Sequence, residues 1–435
     1  MKGLHHRGSE EKVAKMEGST LLPRLQPDQR TFIRELAASY RFTFQELRRV
    51  AEAARDLEMW CEDSVELWWR GAENKVSGGG RERKKAILRL LEEHLRELAA
   101  SAKSYPTEGF AQPPRRQVQL AEKETSKEVF GLCAAYSERT VCCGLHTIDA
   151  VRGCPFGCSY CTIQTFYGDS AELEADLIGK LAKLELDPER SYHIGSGQSS
   201  DSLVWGNRGG LLDALLDFAD RHPNVLLELK TKSDNVRELC SRDLPANVIC
   251  SWSLNPETVI DNEEHGTASL ERRLRAARAV ADQGLRVAFH FHPMIFYQAW
   301  RRDYGGIAER LLARFEPHEV GFVSMGSVTL IRPVVQEIRR RGGETKILQM
   351  ELTPDPHGKL TYPRQIKLDL FGHLHESLRP WHREVFFYLC METDEIWRQV
   401  FGRSYATNEE FELDFLRRCP PTPVPLPAER VSARI

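Results

Sequence analysis

No run in the 435-residue chain approaches the length of a membrane-spanning helix, which takes about 20 mostly apolar residues. The opening residues, Met1-Lys2-Gly3-Leu4-His5-His6-Arg7, lead into a polar segment without the apolar stretch of a secretory signal. An excess of one charge is also missing. The 60 Lys and Arg are nearly balanced by 63 Asp and Glu, for a net charge of −3. Contact with a polyanion would therefore need a local basic patch, because the whole-molecule field does not supply attraction. A second Cys-x2-Cys pair, which a zinc ribbon requires, is absent. Eleven cysteines, an odd number in a long chain with three of them in one loop, suit a reducing compartment better than a disulfide framework. These features lead to the expectation of a soluble, cytoplasmic protein with no membrane partner.

What is present is the stretch Cys154-Pro155-Phe156-Gly157-Cys158-Ser159-Tyr160-Cys161. Its thiols are spaced Cys-x3-Cys-x2-Cys. One loop with three thiolates suits three irons of a [4Fe–4S] cluster. With no further cysteine at a matching distance, the fourth iron stays open to a small molecule, as in catalytic metal sites. Gly153 and Gly157 let the backbone wrap closely, and Tyr160 offers a flat face to a purine. Zinc is the rival occupant, with Cys142, Cys143 or His146 as a fourth ligand.

The pattern along the chain divides it into six stretches. Residues 1–25 read as loosely ordered, 26–105 as a helical N-terminal region and 106–139 as a linker. Residues 140–345 read as a βα-repeat domain, 346–418 as a C-terminal extension and 419–435 as a proline-rich tail. Phe44, Leu47, Val50, Ala51, Ala54 and Leu57 recur at helical spacing, as do Ile87, Leu91, Leu95 and Leu98. The nearby Arg81, Arg83, Lys84 and Lys85 fit a solvated helix face better than a phosphate site.

From about residue 140, short apolar runs alternate with amphipathic segments, which predicts an α/β fold with a parallel sheet. Strands are expected near 145–150, 192–195, 225–229, 248–253, 286–291 and 319–323. Helices are expected near 171–186, 210–221, 234–241, 269–283, 303–315 and 332–341, with Ser269 at an N-cap. Six βα units fit a partial (β/α)6 barrel of the TIM type. Chemistry in such barrels gathers at the C-terminal strand ends. There the sequence places the cysteine loop, Gly195-Ser196-Gly197-Gln198-Ser199-Ser200-Asp201, Thr231-Lys232-Ser233, Ser253-Leu254-Asn255 and His290-Phe291-His292.

The three-cysteine loop resembles the signature of radical S-adenosylmethionine (SAM) enzymes. The longer string Cys154 to Gln164 (CPFGCSYCTIQ) resembles their spore photoproduct lyase branch, and the likeness runs from about residue 130 to about residue 402. The stretch from Ser253 to Glu271 resembles that branch as well. The resemblance implies a cluster on Cys154, Cys158 and Cys161. It implies SAM contacts at Gly195, Gly197, Ser200, Asp201, Lys232 and Ser253. It puts Tyr160 and Gln198 near the reacting atoms and Arg364, in Tyr362-Pro363-Arg364-Gln365, in a lesion-binding segment. The implied cofactors are a [4Fe–4S] cluster and SAM. The implied partners are DNA and a low-potential electron donor such as flavodoxin or ferredoxin, and the implied activity is repair or modification of a pyrimidine lesion.

Two departures stand out. Gln198 occupies the place of a hydrogen-donating cysteine, and Thr162 that of a tyrosine. Weak or no clean reversal of spore photoproduct is expected; either another thiol serves, with Cys142 and Cys143 the nearest candidates in sequence, or the natural substrate differs. Two alternatives are a radical SAM enzyme acting on RNA or a peptide, and a non-catalytic zinc- or cluster-bearing nucleic-acid-binding protein. Arg301-Arg302 and Arg339-Arg340-Arg341 offer basic groups for a nucleic-acid face, or ordinary solvated helix ends.

Overall fold

The computed structural model describes residues 13–18, 21–111, 113, 116–167 and 170–421. Residues 422–435 of the proline-rich tail and most of the first 25 residues therefore lie outside the described residues. The chain forms two compact units. One comprises Met1–Pro113, Phe296–Gln298 and Leu330–Tyr362; the other comprises Pro114–Ile295, Ala299–Thr329 and Pro363–Ile435. Among the described residues, no helix is long and apolar enough to cross a membrane.

The first unit is built on α1 (Pro27–Ser39), α2 (Phe44–Met59), α3 (Val65–Lys75) and α4 (Gly80–Ala100). The Thr43 hydroxyl accepts from the Glu46 amide, and the Glu46 carboxylate accepts from the Thr43 amide at 2.7 Å. This capping box satisfies two of the donors that a helix start leaves open. The helical periodicity read from Leu47, Val50, Ala54 and Leu57 is the buried face of α2, and Trp69, Ile87 and Leu91 are buried with it. Lys84 is also buried, donating to the Arg41 carbonyl and to Glu46, both at 2.7 Å. Its charge is used inside the unit.

The helix Arg332–Arg341 belongs to the same unit. Arg339 forms a two-pronged pair with Asp56, 2.7 Å on each prong. Arg340 and Arg341 share Glu337. The triple arginine is thus one packing residue followed by a helix end with its own counter-charge. Gly342 closes that helix at φ +57°, the left-handed region that favours glycine, and the Arg55 guanidinium occupies the space where a Cβ would stand.

The second unit holds a curled, open eight-stranded sheet. In chain order its strands and neighbours are β1 (Gln119–Lys123), β2 (Phe130–Leu132), β3 (His146–Ile148), β4 (Val151–Arg152), β5 (Gly157–Cys158), β6 (Ser170–Glu174), β7 (Tyr192–Ser196), β8 (Val225–Thr231), β9 (Val248–Ser253), β10 (Glu264–His265), β11 (Arg286–Met294) and β12 (Val320–Ser327), then the strand Phe386–Leu389. The sheet order is Phe386–Leu389, β12, β11, β9, β8, β7, β3, β2. All neighbours run parallel except β2 against β3. The six expected strands β3, β7, β8, β9, β11 and β12 form the partial barrel.

These strands are rich in apolar residues because both faces are covered; every residue of β9 is buried. Helices Leu211–Arg221, Leu270–Ala281 and Trp300–Arg314 supply connections. The second begins as expected, with the Ser269 hydroxyl accepting from the Arg272 amide at 3.4 Å.

Three local expectations are corrected. Residues 170–174 form a strand rather than the start of a helix, and only Leu177–Ala182 is helical. Ala171 and Leu173 are both buried, so a period of two won there over helical spacing. Residues 237–241 form turns instead of a helix; the Ser233 hydroxyl captures the Asn235 amide at 3.0 Å, a local bond that competes with a helix start. Within 106–139, β1 pairs with β6 and β2 with β3.

Candidate active site

The chain leaves β3 at the C-terminal edge of the sheet and turns into the cysteine loop. Gly153 makes the turn at φ +100°, where a Cβ would lie 2.2 Å from the Ser170 carbonyl oxygen. The loop is tied down on several sides. The Gly153 amide donates to the Ser199 carbonyl (2.9 Å), and the Ser159 amide to that of Glu263 (2.8 Å). β5 pairs antiparallel with β10, Cys158 opposite Glu264. Gln164 Nε2 donates to the Cys158 carbonyl at 2.9 Å, and the Arg116 guanidinium to the Phe156 carbonyl at 3.2 Å. Cys158 is buried, and Cys154 and Cys161 are half-buried. Burial pushes the Cys154 and Cys158 thiols up, with the Asp201 charge adding to it at Cys154 and the Glu264 charge at Cys158.

A buried carboxylate, Glu264, organises the floor of this loop. It takes Arg273 at 2.6 Å, the Asn255 amide at 2.8 Å and the Tyr160 hydroxyl. Lys232 Nζ lies 3.9 Å away and 5.9 Å from the centre of the Tyr160 ring. Burial would raise the Glu264 carboxyl; the Arg273 and Lys232 charges, then the Tyr160 and Asn255 hydrogen bonds, outweigh it and hold it at about 2. Arg273 also donates to the carbonyls of Ser253 and Ala268, both at 2.8 Å. Tyr304 holds Asn255 from behind at 2.8 Å. One network therefore joins the cysteine loop to the ends of β8 and β9 and to β10.

The segment after β7 forms the opposite wall. Gly195 lies within β7, and Gly197 turns at φ +88° with no room for a side chain, since a Cβ would meet Ser202 Oγ at 2.6 Å. Asp201 is buried. Its carboxylate accepts from the amides of Leu203 (3.1 Å), Val204 (2.9 Å) and Lys232 (2.6 Å) and from the Thr231 hydroxyl (2.8 Å). Asp201 thus clamps the 197–204 loop to the end of β8. Ser200 Oγ accepts from the Trp205 indole at 2.9 Å. The Gln198 carbonyl oxygen faces the Cys133 thiol, with S···O 3.7 Å.

The structure thus links the cysteines, Tyr160, Gly197, Gln198, Asp201, Lys232 and Ser253 through direct or one-residue connections. Arg364 starts the helix Arg364–Ser377 and is paired with Glu395 at 2.8 Å. Arg301 lies over the Trp300 ring and Arg302 pairs with Asp303. Sequence reasoning placed Asn255 at a strand end but missed Glu264 and Arg273. Glu264 and Arg273 flank the His265–Glu271 string, but nothing in their spacing shows that they converge on Tyr160. Missed as well was a polar cluster inside the barrel. Glu228 accepts from Ser251 and meets His193 (2.9 Å) and His290 (2.5 Å). The His290 imidazole is held down to about 4 by burial and by Lys230.

Among the described residues, no three His, Cys, Asp or Glu converge as a single metal ion requires. A cube is different, since each thiolate takes its own iron and the ligands stand apart around it. Three thiols on a pinned loop with close-approach glycines are the donor set it needs, so the residues present fit the cluster.

A family model described as spore photoproduct lyase matches residues 143–347. That match covers 205 of the 435 residues, a little under half of the chain. The radical SAM resemblance read from the cysteine loop is thereby supported. Curated relatives include the spore photoproduct lyase of Clostridium acetobutylicum, 22% identical over 41% of this chain and 54% of the relative. Another is that of Geobacillus sp., 25% identical over 46% of this chain and 62% of the relative. The aligned region spans less than two thirds of the length of either.

Among solved structures, a spore photoproduct lyase complexed with dinucleoside spore photoproduct matches at TM-score 0.53 and 19% identity, over 62% of this chain and 82% of that one. A doubly substituted lyase with bound AdoMet and dinucleoside spore photoproduct matches at 0.52 and 20%, with the same coverage. These likenesses show the fold of the spore photoproduct lyase domain.

Proposed function

We propose that the protein is a radical SAM enzyme that acts on a pyrimidine lesion in DNA, with a [4Fe–4S] cluster on Cys154, Cys158 and Cys161. The observation that carries this reading is the pinned three-thiol loop, which shares one hydrogen-bonded network with the polar ends of β8 and β9. When bound, the cluster and SAM together supply reductive cleavage of the sulfonium to a 5′-deoxyadenosyl radical.

The chain's own residues position and enclose that chemistry. The Gly195–Gly197 turn would let the methionine end of SAM approach the backbone, and Ser200, Lys232 and Ser253 would offer polar groups to the rest of it. Asp201 has its acceptor sites filled by the loop, so its part is to hold Gly197 to Ser200 in place rather than to grip SAM directly. Tyr160 anchors the cysteine loop through Glu264. Arg364 serves the lesion side. A small low-potential protein of the flavodoxin or ferredoxin kind would supply the electron.

The DNA part of the reading draws on the relatives' names and on solved neighbours that hold dinucleoside spore photoproduct. Gln198 and Thr162 favour a second reading, in which the same radical chemistry is applied to a different substrate, such as RNA or a peptide. One anaerobic assay separates the two. Reconstituted protein is given dithionite, SAM and a synthetic spore photoproduct dinucleotide, and products are followed by mass spectrometry. Conversion of the lesion is the expected result; formation of 5′-deoxyadenosine with the lesion untouched would favour the second reading.

A further inference from the structure

Cys133, Cys142, Cys143 and Cys390 are thiols of the second unit that the cluster does not use. Cys142 and Cys143 share a thiol–thiol hydrogen bond. Cys133 is the member of this set that reaches the reacting wall. It follows β2, its amide donates to the Leu145 carbonyl at 2.9 Å, and its thiol points at Gln198 Oε1 across 3.7 Å. Gln198 immediately precedes Ser199, whose carbonyl receives the Gly153 amide beside Cys154. A thiol therefore stands next to the side chain that cannot give up a hydrogen atom.

We propose that Cys133 donates a hydrogen atom to the substrate-derived radical. The assignment rests on the radical SAM reading above. The S–H bond breaks homolytically, the carbon radical gains the hydrogen and forms a C–H bond, and a thiyl remains on Cys133. One electron from the low-potential reductant that feeds the cluster, with one proton from solvent, restores the thiol. The neighbouring thiols are less suited. The Cys142 thiol is engaged with Cys143, whose hydrogen bond, with help from the backbone around Ser137 and Gly144, lowers it against the effect of burial. The Cys143 thiol is buried and engaged with Cys142. Gln198, by accepting from Cys133, fixes the direction in which the S–H bond points.

Two measurements test this. The first needs no cofactor. In the infrared S–H stretching region, Cys133→Ala should remove one band, and Gln198→Leu should move that same band to higher frequency because its acceptor is gone. A band unmoved by Gln198→Leu would overturn the assignment. The second is the lesion assay run in deuterated water, where exchangeable thiols carry deuterium. Wild type should place one deuterium in the product, and Cys133→Ala and Cys133→Ser should both lose that label and accumulate abortive products. Labelled product from wild type and from both Cys133 variants alike would overturn the Cys133 assignment alone. A wild type that forms no 5′-deoxyadenosine would overturn the radical SAM reading, and the assignment with it.

Discussion

Cys158→Ala is expected to empty the protein of its iron. Anaerobically purified and reconstituted wild type should be brown and bind about four irons per chain, the content of one cube; the variant should be colourless. The effect is large because Cys158 is the buried member of the set and sits in the β5–β10 pairing, so neither water nor a neighbouring side chain can take its place. Cys142→Ala and Cys143→Ala serve as controls, since they remove the thiols that a zinc site would have recruited. Iron retained in full by Cys158→Ala, or lost equally in Cys143→Ala, would count against the ligand set.

Glu264→Gln should lower unfolding stability by about 3–5 kcal/mol, the usual cost of removing one partner from a buried ion pair. Both Glu264 and Arg273 are fully buried, and the substitution leaves the Arg273 charge without its carboxylate while Lys232 loses a counter-charge. Size is conserved, so packing is nearly untouched. The double variant Glu264→Gln with Arg273→Met should recover part of the loss, because it removes the stranded charge. Denaturant midpoints measure both. The same network holds Tyr160, so iron uptake should fall in step with stability. An unchanged midpoint in Glu264→Gln would show that the carboxylate does not organise the loop.

The parallel core was legible because strands buried on both faces, such as Val225–Thr231 and Val248–Ser253, begin in short apolar runs that alternate with amphipathic segments. The helix Arg332–Arg341 was placed to the residue. The cysteine loop was legible for another reason: its chemistry is contained in eight consecutive residues. The Ser170–Glu174 strand was not, since its partners β1 and β4 are short and lie outside the barrel. The floor of the site was hidden by distance along the chain. Tyr160 is separated from Asn255, Glu264 and Arg273 by the strands β6 to β9 and the helices between them, and no local pattern marks a carboxylate that will be satisfied from that far away. Cys133 was missed because the stretch around it was read as a linker, whereas β2 pairs with the edge of the sheet and carries the thiol to Gln198.

The central claim is that this loop and the strand ends around it make an open-iron cluster that cleaves SAM. It is tested most directly by incubating reduced, iron-loaded wild type with SAM alone under strict anaerobiosis and measuring 5′-deoxyadenosine by mass spectrometry. The account predicts reductant-dependent 5′-deoxyadenosine and methionine in equal amounts, and neither from Cys158→Ala. Iron-loaded wild type that leaves SAM intact under these conditions would contradict it.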